Sequence, residues 1–237
     1  MHAGSITRAF AIHSVPPRIV AVTALVSVAG LTFTSLLGWP LWRIAVTMLI
    51  PWCAVLTQET IWTYRHYGWL ALFYVLVVTQ TGHFFEHVAQ MIQMHILGLT
   101  GANAQGVIGT LDIEWVHFIF NTWVAIAAPI LLWRFRRNAW LWAVTILSLW
   151  HVIEHITIMA AFLATGKVGT PGLLSRGGLL GGGLPLVRAD LHFLYNLVET
   201  VPLVVAFMYE LYLYDEYRRR YATSPREGAG VGVSERA

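Results

Sequence analysis

Six stretches of this chain stay apolar for about the 20 residues that a helix needs to cross the hydrocarbon of a bilayer, and nothing else narrows its fold as far. Inside hydrocarbon each backbone amide must find its partner within the protein, so segments of this kind are helices. They fall at 18–37, 44–63, 69–97, 114–133, 139–164 and 189–214. Turn formers or charges part them, as in Gly38-Trp39-Pro40, Arg65-His66-Tyr67-Gly68 and the stretch from Arg134 to Asn138. Composition agrees, with 57% hydrophobic and 11% charged residues, where a soluble domain carries roughly 25% charged. The expected fold is all-α, a polytopic membrane bundle of about six transmembrane helices.

Arginines orient the bundle. Arg8, Arg18, Arg65, Arg134, Arg136, Arg137 and Arg218 to Arg220 fall on one side of six alternating spans, whereas Arg43, Lys167, Arg176 and Arg188 fall on the other. The denser side is cytoplasmic by the positive-inside rule, which places both termini there and the chain in the cell membrane as a multi-pass protein. Residues 1–17 then form a cytoplasmic segment, 18–214 the transmembrane domain and 215–237 a polar, disordered cytoplasmic tail. The first span exceeds a usual signal core and lacks a small-residue cleavage site, so it reads as retained. The net charge of +3 is ordinary topology charge and does not point to nucleic acid. A single cysteine, Cys53, excludes an internal disulfide and a thiolate metal cage. The glycines of loop 165–188 lack the strand–loop–helix context of a phosphate cradle and read as a flexible connection.

Within these apolar helices a pattern recurs. His83-Phe84-Phe85-Glu86-His87 is echoed by His151-Val152-Ile153-Glu154-His155, and His117-Phe118-Ile119-Phe120-Asn121 by His192-Phe193-Leu194-Tyr195-Asn196. The order H-x-x-E-H then H-F-x-aromatic-N, met twice, reads as an internal two-helix duplication of helices 3–4 and 5–6, with repeat units at about 69–133 and 139–214. Residues at i, i+3 and i+4 share a helical face, so His83, Glu86 and His87 point one way, and so do His151, Glu154 and His155. His117 shares a face with Asn121, and His192 with Asn196 and Glu199. All four boxes fall in the outer half of the membrane, where four helices can turn six imidazoles and two carboxylates to one volume.

Ionisable groups at such depth are costly and usually face the bundle interior. Any one of these histidines reads equally well as a helix–helix hydrogen-bonding partner. The repeated constellation reads as a metal site, because imidazole nitrogen and carboxylate oxygen are normal ligands and neighbouring polar groups orient them. The candidate ligands are His83, Glu86, His87, His117, His151, Glu154, His155 and His192. Asn121, Asn196 and Glu199 would stand behind them, and Glu86 and Glu154 would bridge ions or move protons. Glu59 reads as a snorkelling or capping residue, His2, His13 and His66 as interface residues, and His95 as ambiguous.

Four functions compete. The leading one is a metal-dependent oxidoreductase holding two ions, iron or copper, and acting on a lipid-soluble substrate or quinone, with an electron-donor protein or membrane complex as partner. In style the boxes resemble the histidine-rich motifs of membrane fatty-acid desaturases and hydroxylases, a resemblance that implies two irons. The chain lacks their H-x-x-H-H cluster, and its boxes lie outward instead of toward cytosolic donors. Histidines on neighbouring helices also suit a b-type haem electron-transfer subunit. H-x-x-E-H is the inverted zincin pattern of zinc hydrolases, with Glu199 as third ligand for the second box only; the first has Val124 there. Metal delivery or transport is the fourth; the apolar runs Ala125–Leu132 and Val201–Phe207 oppose transport and leave a delivery or storage role open.

Overall fold

The computed structural model of the chain describes residues 14–100 and 103–223. It is all-helical, and its six long helices are α1 (Pro17–Leu36), α2 (Leu41–Tyr67), α3 (Leu70–Met91), α4 (Ile113–Arg134), α5 (Ala139–Thr165) and α6 (Arg188–Thr223). All but α3 are long and apolar enough to cross a membrane. The exception has a local cause, since α3 carries Gln80, His83, Glu86, His87 and Gln90 on its buried face.

Local chemistry sets several boundaries. Asp112 caps α4 by accepting from the amides of Glu114 and Trp115, both at 3.1 Å. Asn138 caps α5 through the Leu141 amide and also donates to the Ala206 carbonyl and Glu210 of α6. Gly166 closes α5 in the left-handed conformation that glycine adopts freely. The α-helix of α3 stops at Met91, short of the expected 97, and continues as a π-helical turn, Ile92–Ile96. That wider turn re-aims the side chains from Gln93 to His95. At the far end α6 runs past Asp215 to Thr223, and the rest of the expected tail lies outside the described residues, as do His2 and His13.

Helices α3 to α6 form the bundle: α3 packs mainly on α6, and α5 on both α4 and α6. Its lower half is a dry core of Phe73, Leu76, Val77, Val124, Ala128, Leu131, Leu141, Val144, Leu203 and Phe207. The α1–α2 pair joins this bundle through α2 against α3. Glu59 on α2 is buried and accepts from both the amide and the hydroxyl of Ser14, so it anchors the incoming chain instead of snorkelling.

Candidate metal centre

Above the dry core the side chains change character, and six imidazoles meet. His83, His87 and His117 form one group and His151, His155 and His192 a second; within each, one ligand atom per residue lies within 4.8 Å of the others. None of the six side chains is more than 3% exposed. The two groups match closely. Ring centroids of His83 and His87 lie 4.9 Å apart, as do those of His151 and His155; His87–His117 and His155–His192 are both 4.8 Å. Across the groups, His87–His192 and His117–His155 are near-parallel at 6.4 and 6.1 Å. The two triads thus sit side by side.

Hydrogen bonds fix several tautomers. Nδ1 of His117 lies 2.7 Å from the Ile113 carbonyl, and Nδ1 of His192 lies 2.8 Å from that of Arg188. A carbonyl only accepts, so Nδ1 donates in both rings, and the neutral imidazole offers a bare Nε2 to the interior. His151 Nδ1 donates to Glu199 at 3.0 Å, with the same result. Among the described residues, seven buried nitrogens of His83, His87, His151, His155 and His192 have no hydrogen-bond partner. At about 1–3 kcal/mol for each polar atom buried without one, the set would consume a sum comparable with a whole domain's stability of about 5–15 kcal/mol. Metal coordination satisfies such atoms together. A tetrahedral ion with nitrogens at about 2.1 Å separates them by about 3.4 Å, so spacings within 4.8 Å close with small side-chain shifts.

The glutamates share the helix face of their histidines but belong to neither triad. Glu86 Oε1 accepts from the amides of Val107 and Gly109 at 2.6 and 2.8 Å, which fastens loop 98–112 onto α3. Glu154 Oε1 accepts from Leu173 at 3.0 Å and fastens loop 166–187 onto α5 in the same way. A glycine at positive φ lies against each carboxylate, Gly106 on Glu86 and Gly172 on Glu154. The second oxygen of Glu154 is buried and has no hydrogen-bond partner among the described residues.

Asn121 and Asn196 donate to the backbone carbonyls of His117 and His192, one turn back in each helix. They therefore stabilise the turn that carries the histidine and leave the ring to its other contacts. Glu199 does reach a ring, that of His151.

Three contributors escape any reading by motif. Arg188 at the start of α6 forms a two-pronged ion pair with the buried Glu114 of α4, at 2.7 and 2.5 Å. Glu114 also accepts from the Gly169 amide, so this pair ties α4, α6 and the second loop together. Gln80, one turn below His83, donates to Asn196 and Thr200. Across the repeat Ile113 aligns with Arg188 and Glu114 with Ala189, and these two mismatches of charge are the trace that the pair leaves in the sequence. His95 pairs with Asp190 at 2.7 Å near the surface, and His66 stacks on Trp62; neither joins the centre.

A cavity of about 400 Å³ lies between the imidazoles and the two loops, touching His87, His117, His155 and His192 and walled by Gln90, Met94 and Arg188. Both triads therefore present ligands to one shared space. No family model matches the chain, nor does any curated protein or solved structure.

Proposed function

We propose that the protein is an integral membrane metalloprotein that holds two transition-metal ions side by side, one in each histidine triad, and acts as an oxidoreductase on a lipid-soluble substrate or quinone. The observation that carries this reading is the pair of matched, buried triads facing one cavity. The matched contacts support descent of α3–α4 and α5–α6 from one two-helix unit. Both termini are cytoplasmic in this reading, and the cavity lies toward the outer leaflet.

The donor set favours copper over iron. Paired-iron bundles draw carboxylates into the metal shell, whereas here both box glutamates are engaged with loop amides and each triad is all imidazole. Copper held by His83, His87 and His117 and by His151, His155 and His192 would supply one-electron chemistry at adjacent sites. The chain's own part is concrete: His117, His151 and His192 are held with Nε2 inward, Glu86 and Glu154 pin the loops that border the cavity, and Arg188 lines its wall. A cavity of this size lies at the small end of the range for organic ligands. Transport of the ion is disfavoured because the bundle beneath the triads is filled by apolar side chains.

The test is metal content by mass spectrometry and the visible spectrum of protein purified in mild detergent. About two coppers per chain, with one lost in His117→Ala, is the expected result. Zinc alone would replace this reading with hydrolysis, since three imidazoles beside a cavity would leave a bound zinc room for a water. An intense Soret band would replace it with haem.

A further inference from the structure

Aligned box on box, the two triads differ in what stands behind them. Trp150, Tyr195 and Glu199 surround His151, and the corresponding positions around His83 hold Gly82, Phe120 and Val124. Glu199 accepts from His151 Nδ1 at 3.0 Å, the Tyr195 ring lies 4.9 Å from the His151 ring, and Trp150 donates to the Tyr195 hydroxyl at 3.1 Å. His83 instead stacks on Phe120 at 4.8 Å, and neither of its ring nitrogens has a hydrogen-bond partner. Val124, where a carboxylate would stand, belongs to the dry core.

We propose that the two ion sites are unequal: the second triad, backed by Glu199, holds its ion tightly, and the first holds an exchangeable one. This rests on the two-ion reading above. A carboxylate that accepts from the far nitrogen of a ligating imidazole fixes its tautomer and orientation and raises its basicity, and loss of such a partner typically costs 10–100-fold in metal affinity. His151 has that partner. His83 lacks one and must settle its tautomer and rotamer at the moment of binding. Glu199 is thus a positioning residue, acting on the ion through His151.

The full-length protein in detergent, stripped by chelator, would be titrated with Cu(I) against a colorimetric competitor. Two steps at least tenfold apart are expected. Glu199→Gln should weaken the tighter step by 10–100-fold, leaving the weaker step and the final ion count unchanged. His83→Ala should abolish the weaker step and His151→Ala the tighter, with helicity by circular dichroism confirming that each variant folds. Val124→Glu supplies a second arm and should strengthen the weaker step. Two ions taken up by the wild-type protein in one indistinguishable step, or a Glu199→Gln titration that overlays the wild type, would overturn the inequality while leaving the two-ion reading intact. Failure of the wild-type protein to bind any Cu(I) would instead overturn the reading beneath it, and the inequality with it.

Discussion

Replacing Gly106 by alanine should loosen the first loop from its helix, and the structure sets the size of the effect. Gly106 has φ of +79°, and a Cβ built there would lie 2.3 Å from Glu86 Oε1, 2.8 Å from its Cδ and 3.1 Å from the Glu86 backbone carbonyl. The backbone conformation alone costs about 1–2 kcal/mol for an L-residue. The carboxylate cannot swing aside freely, because the amides of Val107 and Gly109 hold it at 2.6 and 2.8 Å. Clearing the new methyl takes roughly 1 Å of movement, enough to break at least one of these charge-assisted bonds, each about 1.5–3 kcal/mol. The expected loss is about 2.5–5 kcal/mol. For a chain of this length it corresponds to a fall in Tm of about 10 °C by circular dichroism in detergent.

Gly98→Ala is the matched control. Its φ is +68°, but none of the described residues lies within 4 Å of the added Cβ, so it carries the backbone penalty without the collision. It should lose only about 1–2 kcal/mol. Equal Tm values for Gly106→Ala and Gly98→Ala would refute the claim that Glu86 serves as the anchor of the loop. Gly172→Ala, whose Cβ would lie 2.4 Å from Glu154 Oε1, should reproduce the larger effect in the second half.

Other expectations follow from the same contacts. Glu86→Gln and Glu154→Gln should keep their full ion content by mass spectrometry, because neither glutamate is part of a triad; loss of an ion in either would return the glutamates to the metal shell. Arg188→Met should destabilise the protein by about 3–5 kcal/mol, as it leaves the Glu114 carboxylate buried without its partner. The double variant Arg188→Met with Glu114→Leu should recover most of that Tm loss. Stripping the ions should lower Tm reversibly, since a ligand present at about 1,000 times its Kd stabilises by about 4 kcal/mol; an unchanged Tm would argue against ion binding at the buried triads.

Much of this architecture is visible from sequence, and the reasons differ by level. Helix number and approximate limits follow from hydropathy, because hydrocarbon demands length and apolarity of each span. The six histidines follow from box spacing, because i, i+4 places two rings on one face whatever the rotamers. The glutamates show where that reasoning ends. Glu86 and Glu154 lie on the expected faces, yet a side chain at i+3 can reach back toward the loop following its own helix, and periodicity carries no information on loop amides. The Arg188–Glu114 pair joins positions far apart in sequence on helices that carry no local sign of pairing. The π-helical turn at Ile92–Ile96 is equally silent in the composition of its five residues. In the second half, Glu199 was legible because it continues a face already marked by His192 and Asn196.

If the triads hold ions, the clamping of each loop by a glutamate one residue before a triad histidine makes occupancy and access interdependent. Glu86 adjoins His87 and Glu154 adjoins His155, so an ion that drew either imidazole inward would move the same helical turn that holds the loop. By thermodynamic reciprocity, whatever orders the loops over the cavity must tighten ion binding by the same factor with which the ions order the loops. The lining of the cavity and the affinity of the centre are then two readings of one coupled equilibrium.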